Sequence, residues 1–270
     1  IKGRSSGATG TQRWFVKVPA VCGNSEILEL DTTNGKQDSG NGIETMSSTT
    51  VTLGIDTGNV NGTNESGKNY VGYAWKSVAG YSKIGTYTGT GSTGLSVTTG
   101  FRPGWVMLKR SDSAGSYKIF DSSRNPFEQD NHLLADTSGA EGTDGNGGLK
   151  FTSTGFTVNN TGSASTNASG GTYIYMAFAG SYSDFITDVN TNGSIESRVK
   201  ASDTTGFSVV SYTGNGSNNS TVGHGLSSVP DWVITKSRTS GTDSWSVWHS
   251  SLTSIQYYLS LNATTGETSG

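Results

Sequence analysis

The chain has 270 residues, a net charge of −3, 31% hydrophobic and 10% aromatic residues, 14% charged residues and 39 glycines. The acidic balance leaves no electrostatic footprint for nucleic acid, no run of 18 apolar residues offers a membrane span, and the single Cys22 excludes a disulfide framework or a multi-cysteine zinc site. Abundant aromatics with few charges also argue against disorder, which is usually poor in the former and rich in the latter.

From the first residue onward the pattern is that of strands and turns. Ile1–Arg4 is followed by an aromatic strand at Arg13–Val16 and a leucine phrase at Ile27–Thr32. An alternating strand follows at Tyr70–Trp75, and another at Tyr81–Tyr87 that runs into Thr88–Ser92. Arg102-Pro103-Gly104 leads into Trp105–Arg110, with the proline where a strand begins, because it fixes φ and has no N–H for a ladder. Next come Tyr117–Phe120, His132–Thr137 and the doubly apolar strand Tyr173–Ala179. Asn192-Gly193 predicts a hairpin turn between strands at 183–187 and 195–200. Phe207–Tyr212, Trp232–Arg238, Trp245–Trp248 and Tyr258–Ala263 complete the series. Short β-branched and aromatic runs separated by Gly, Asn and Ser turns predict an all-β chain of sandwich type, jelly-roll or lectin-like, with very little helix.

The same phrases recur in order. Trp-Val-Met-Leu-Lys-Arg (105–110) matches Trp-Val-Ile-Thr-Lys-Ser-Arg (232–238), and Ile-Lys-Gly-Arg (1–4) is its tail. About 107 residues separate Lys2 from Lys109, and about 127 separate Lys109 from Lys236. Such steps suit self-standing domains rather than solenoid turns. Three units follow: the back part of a repeat at 1–78, a complete repeat at 79–180, and a linker hairpin with the front of a third at 181–270. The chain is thus expected to be an excerpt of a longer modular protein. Trp105 and Trp232, in register after their prolines, are expected in the core. Trp245 and Trp248 are the better candidates for exposed aromatics.

Candidates for chemistry are few. Gly3-Arg4-Ser5-Ser6-Gly7 fits G-x-S-x-G, but a nucleophile elbow needs a strand–turn–helix that the pattern does not provide. His132, His224 and His249 lie in separate segments without metal-ligand spacing. Asp121, Glu128, Asp130 and Asp136 come nearest to a carboxylate cluster, and their spacing reads as loop capping with an Asp–Arg pair. Asp188, Asn190 and Asn192, followed by Gly193, match the opening of a calcium loop, yet position twelve is Val199 where a bidentate glutamate belongs. The hairpin reading is preferred there. No catalytic residue and no cofactor are assigned, and the chain is read as a non-enzyme. Loop tips at Gly89–Gly94 and Gly214–Ser220 are the places to look for binding.

Taken together, "GYSKIGTYTGTGS", "GFRPGWVMLKRSD", "NASGGTYIYMAFA", "GFSVVSYTGNGS" and "TVGHGLSSVPDWVITKSR" resemble the repeated β domains of tail fibre proteins from marine bacteriophages. The resemblance implies a virion-surface fibre or adhesin that meets host surface glycans or another receptor, contacts other virion proteins and assembles as a homotrimer. It brings no catalytic residues. The alternatives are a purely structural capsid fibre or stalk, a polysaccharide depolymerase, and a bacterial surface adhesin stiffened by calcium.

Overall fold

The structure, a computed structural model, describes residues 1–4, 13–38, 42–54, 62–124, 130–144, 147–180 and 188–270, with the side chain of Asp188 outside that set. It is all-β, with no helix among the described residues. The first unit carries β1 (Lys2–Gly3), β2 (Phe15–Val16), β3 (Glu26–Glu29), β4 (Gln37–Asp38), β5 (Ile43–Met46), β6 (Val51–Leu53) and β7 (Tyr70–Val71). The second carries β8 (Ser82–Thr88), β9 (Leu95–Thr98), β10 (Pro103–Arg110), β11 (Lys118–Asp121), β12 (Asn131–Leu134), β13 (Gly142–Thr143), β14 (Leu149–Thr152), β15 (Gly155–Val158) and β16 (Thr172–Ala179). The third carries β17 (Asp188–Asn190), β18 (Ser197–Ser202), β19 (Phe207–Tyr212), β20 (Trp232–Thr235), β21 (Ser246–His249), β22 (Tyr257–Ser260) and β23 (Thr268–Ser269).

The second unit is a sandwich. Its larger sheet runs β13-β12-β11-β10-β16-β8 and its smaller one β14-β15-β9. Val106 and Leu108 of β10, Phe120 of β11 and Tyr175 and Ala177 of β16 pack against Val97, Leu149, Phe151, Phe156 and Val158. The alternate residues on the other face, Trp105, Met107 and Ile119, enter a second core. Burial of both faces explains why β10 and β16 read as nearly unbroken apolar runs. Pro103 opens β10, as expected, and a register shift lies between it and Trp105. Pro230 instead stands outside a strand, and β20 begins at Trp232.

That second core joins all three units: Trp14 and Val71 from the first, Tyr117, Ile119, Leu133 and Ala135 from the second, and Trp245, Val247, Leu252, Leu259 and Leu261 from the third. Contacts around it repeat in one cyclic sense. The amide N–H of Lys36 donates to Ser111 O (2.7 Å), that of Glu141 to Arg238 O (2.8 Å), and that of Glu267 to Arg4 O (3.0 Å). These join first to second, second to third and third to first. Three matching Asp or Asn residues cap matching strands, since Trp14 N–H donates to Asp31 Oδ1 (3.2 Å), Tyr117 N–H to Asp136 Oδ1 (2.9 Å) and Trp245 N–H to Asn262 Oδ1 (2.9 Å). The leucine phrases owe their repeated Asp or Asn to this cap.

Buried lysines repeat as well. Lys2 Nζ donates to Ala263 O (2.7 Å) and lies over the Trp14 ring, while Lys109 Nζ donates to Thr33 O (2.9 Å) and lies over Tyr117. Lys236 turns to its own unit, at Ser237 O (2.7 Å) and Ser240 O (3.2 Å). Burial lowers both Lys2 and Lys109 to about 8. Each desolvated ammonium is held by carbonyl oxygens and an aromatic face.

Candidate functional site

Where the first and third units meet, Tyr73 stands at the centre of a ring cluster. Its centroid lies 6.0 Å from Trp14, 5.9 Å from Trp75, 4.9 Å from Trp232 and 5.3 Å from His249. Trp75 and Trp232 are 5.6 Å apart at 47°. Trp14 is buried, Trp232 is half-buried, and Trp75 is 44% exposed. Burial lifts the Tyr73 phenol to about 12, against smaller opposing effects of Trp232 and Arg4. His249 Nδ1 accepts the Ser251 N–H (2.9 Å), which places the ring proton on Nε2 as a donor. The site therefore presents an exposed indole face above a cluster of rings that carries several hydrogen-bond donors. Such a surface suits stacking against a ring with an apolar face.

The second unit carries the equivalent pair, because Lys2 lies opposite Val71 as Lys109 lies opposite Ile174. In that register Trp75 matches Phe178, and Trp232 matches Trp105 by the repeated phrase. Trp105 and Phe178 are 5.8 Å apart. Phe207 of β19 covers them, stacked on Phe178 at 4.5 Å and 18° and edge-on to Trp105 at 6.3 Å. That pair is half-buried beneath Phe207, whereas Trp75 is exposed.

Several expectations are corrected. Trp245 is 6% exposed and lies in the shared core, its Nε1 donating to Leu134 O at 2.8 Å, and Trp248 is half-buried against the same core. Trp105 and Trp232 are only half-buried. Sequence reasoning missed Trp75; the Tyr-x-Trp alternation of 73–75 was its signal, and nothing local revealed that its outer face would lack a cover.

The calcium-loop residues form the hairpin, whose described first arm is Asp188–Asn190; the expected arm at 183–187 lies outside the described residues. Asp188 pairs with Val199, the residue at position twelve, and Val199 is buried. Asn190 Oδ1 accepts the Asn192 N–H (2.8 Å), and Gly193 turns at φ 103°. Asn190, Asn192, Val189, Val199 and Gly225 border an open cleft of about 380 Å³ whose described lining has no carboxylate. Among the described residues no three His, Cys, Asp or Glu side chains group as a metal centre would need.

The remaining candidates serve the fold. Asp121 pairs with Arg124 and caps the N–H groups of Ser123 and Arg124, the expected loop cap and Asp–Arg pair. Asp136 caps Tyr117, and Glu128 lies outside the described residues, as do Ser5–Gly7. His132 is in β12, 3.5 Å from Asp144, and burial lowers its pKa, with Lys118 adding to the effect. His224 closes a turn by accepting the Leu226 N–H (3.1 Å), and His249 ends β21. Of the loop tips, 89–94 is pinned from below by buried Asn167, which accepts the Thr90 N–H (2.8 Å) and donates to Ser92 O (2.7 Å). The tip at 214–220 is exposed and closes on itself through Asn215 Oδ1, which accepts from Ser217 N–H and Ser220 Oγ.

Residues 1–181 and 185–270 match the family described as a domain of unknown function, DUF7483. No curated protein and no solved structure matches the chain.

Proposed function

Since the chain belongs to the DUF7483 family, whose description assigns no activity, we propose a function from its site and its sequence resemblance. It is an adhesive and structural segment of a virion tail fibre, displayed on the particle surface and assembled with other virion proteins as a homotrimer. It contacts glycans of the bacterial surface without catalysis. The observation that carries the adhesive part is Trp75, 44% exposed above Tyr73 and Trp232. A rigid indole costs little entropy to order, and the apolar face of a sugar ring fits it; stacking contributes about 0.5–1.5 kcal/mol, weak singly and useful when repeated along a fibre.

Saturation-transfer NMR with host surface polysaccharide tests this reading. The native chain should give transfer to sugar ring protons, and Trp75→Ala should weaken binding about three- to ten-fold. Equal binding by the variant would remove the site from the argument.

A second reading, a stalk segment with no receptor contact, draws on the cyclic contacts and the shared core between the three units. Immunogold labelling of particles distinguishes the two: gold at the distal tail supports adhesion, and gold along a shaft or on the capsid supports the stalk.

A further inference from the structure

We propose that the second unit cross-links itself: Lys118 Nζ and the Asp144 carboxyl condense to an amide, with His132 carrying the proton. Strand pairing puts the three side chains on one face. Lys118 lies opposite Leu134 of β12, two residues from His132, and His132 lies opposite Gly142 of β13, two residues before Asp144. Residues two apart along a strand share a face, so Lys118, His132 and Asp144 form a row across β11, β12 and the end of β13. The Asp144 N–H donates to Asp130 O (3.0 Å) and carries the pairing one step beyond Thr143. Lys118 Nζ donates directly to Asp144 Oδ1, and His132 Nδ1 lies 3.5 Å from the same oxygen.

The surroundings favour a bond over an ion pair. The side chains of Lys118, Asp144 and His132 are 10%, 8% and 11% exposed, and the ring of fully buried Phe120 stands 6.0 Å from His132. A buried ion pair holds well only where hydrogen bonds satisfy the lone pairs it leaves over. Here Asp144 Oδ2 and His132 Nδ1 are both buried without a hydrogen-bond partner. Arg124 is taken up by Asp121 and Glu141. Burial lowers the pKa of His132, with Lys118 adding to the effect, so the imidazole is neutral and Nδ1 can take a proton. The step balances without a co-reactant. His132 Nδ1 removes one proton from the ammonium, and the Nζ lone pair attacks Asp144 Cγ. The tetrahedral intermediate then expels one carboxyl oxygen as water, taking one proton from the nitrogen and one from the imidazolium. Two buried charges vanish, and an amide straps β11 to the end of β13 across β12. This inference stands apart from the glycan reading, since it involves none of the rings around Trp75.

Intact mass spectrometry of the purified full chain tests it. The native mass should fall one water below that of the sequence, and Lys118→Arg, which keeps the ion pair, should restore the full mass. Trypsin should release from the native chain a branched peptide that joins residues 111–124, uncut at Lys118, to residues 125–150. In chains sampled during cell-free synthesis, His132→Ala should slow bond formation about 100-fold. A native chain of full mass would overturn the proposal. So would a water loss that survives Lys118→Arg, which would mark cyclisation at Asp144-Gly145 in place of a cross-link. An unslowed His132→Ala would strike out the proton transfer assigned to that residue.

Discussion

Trp245 Nε1 donates to the carbonyl oxygen of Leu134 at 2.8 Å, and Trp14 Nε1 makes the matching bond to Ser260 O at 2.9 Å. One indole ties the third unit to the second, the other ties the first to the third. At the corresponding place in the second unit stands Tyr117, a phenol without that donor geometry. Replacing Trp245 by Phe keeps most of the apolar volume and leaves Leu134 O without its indole partner. We expect a loss of about 1–3 kcal/mol in urea unfolding, and a change confined to noise would show the bond to be incidental.

The acid at 141 should matter more than its exposed partner Arg238. Glu141 accepts from Arg124 Nη1 (2.8 Å) and from Arg238 Nη2 (2.6 Å), and the Arg124 side chain is only 4% exposed whereas that of Arg238 is 39% exposed. Glu141→Ala leaves a buried guanidinium with Asp121 as its remaining acidic partner, at an expected cost of about 2–3 kcal/mol. Arg238→Ala removes an exposed partner and should cost under about 1 kcal/mol. Denaturant midpoints of the two variants give the comparison, and equal losses would contradict it.

Lys2 and Lys109 set an alkaline dependence. Each titrates near 8 in the folded chain against 10.5 when unfolded. Between those values the unfolded state binds more protons, so stability rises with pH, by up to about 1 kcal/mol per pH unit for each lysine. Near pH 10 the slope reverses, because burial raises the phenols of Tyr73, Tyr87 and Tyr117 and they stay protonated in the fold after the unfolded ones ionise. Urea midpoints from pH 7.5 to 10 should therefore climb, and Lys109→Met should flatten the climb. A midpoint that falls across that range would refute the assignment.

Gly155 sits where β15 meets β9, and a Cβ there would lie 2.0 Å from Val97 O. Backbone cannot yield as a flexible side chain can. Gly155→Ala should cost about 2–3 kcal/mol and loosen the smaller sheet of the sandwich, visible as faster exchange of the amides of β9. Unchanged exchange there would count against so tight a contact.

Much of this was readable in the chain. Alternation located most strands, Pro103 marked the start of β10, and the repeated Lys-with-aromatic phrases matched positions that prove equivalent in pairing, as Lys2 and Lys109 do. The repeated Asp31, Asp136 and Asn262 were visible, while their task as caps on the aromatic strands was not. Period-two patterning states which residues share a face; it does not state what that face meets. At least one of Trp245 and Trp248 was accordingly expected outside, whereas the closing of three units around one core buries Trp245 and half-buries Trp248. Trp75 escaped notice for the converse reason, since its exposure is set by packing between segments far apart in sequence.

The Lys2–Ala263 bond spans 261 residues and the Trp14–Ser260 bond 246. Pairings so distant are slow to form, because the chain must close a long loop before any of them is made. On the ribosome, where amino-terminal parts emerge first, the sandwich of 82–179 has its own strands in hand early. The opening segment must wait with its apolar side uncovered until the 245–267 stretch is synthesised. Joining the 2–14 segment to the 245–267 stretch is therefore expected to be among the slower steps of folding, later than closure of the sandwich at 82–179.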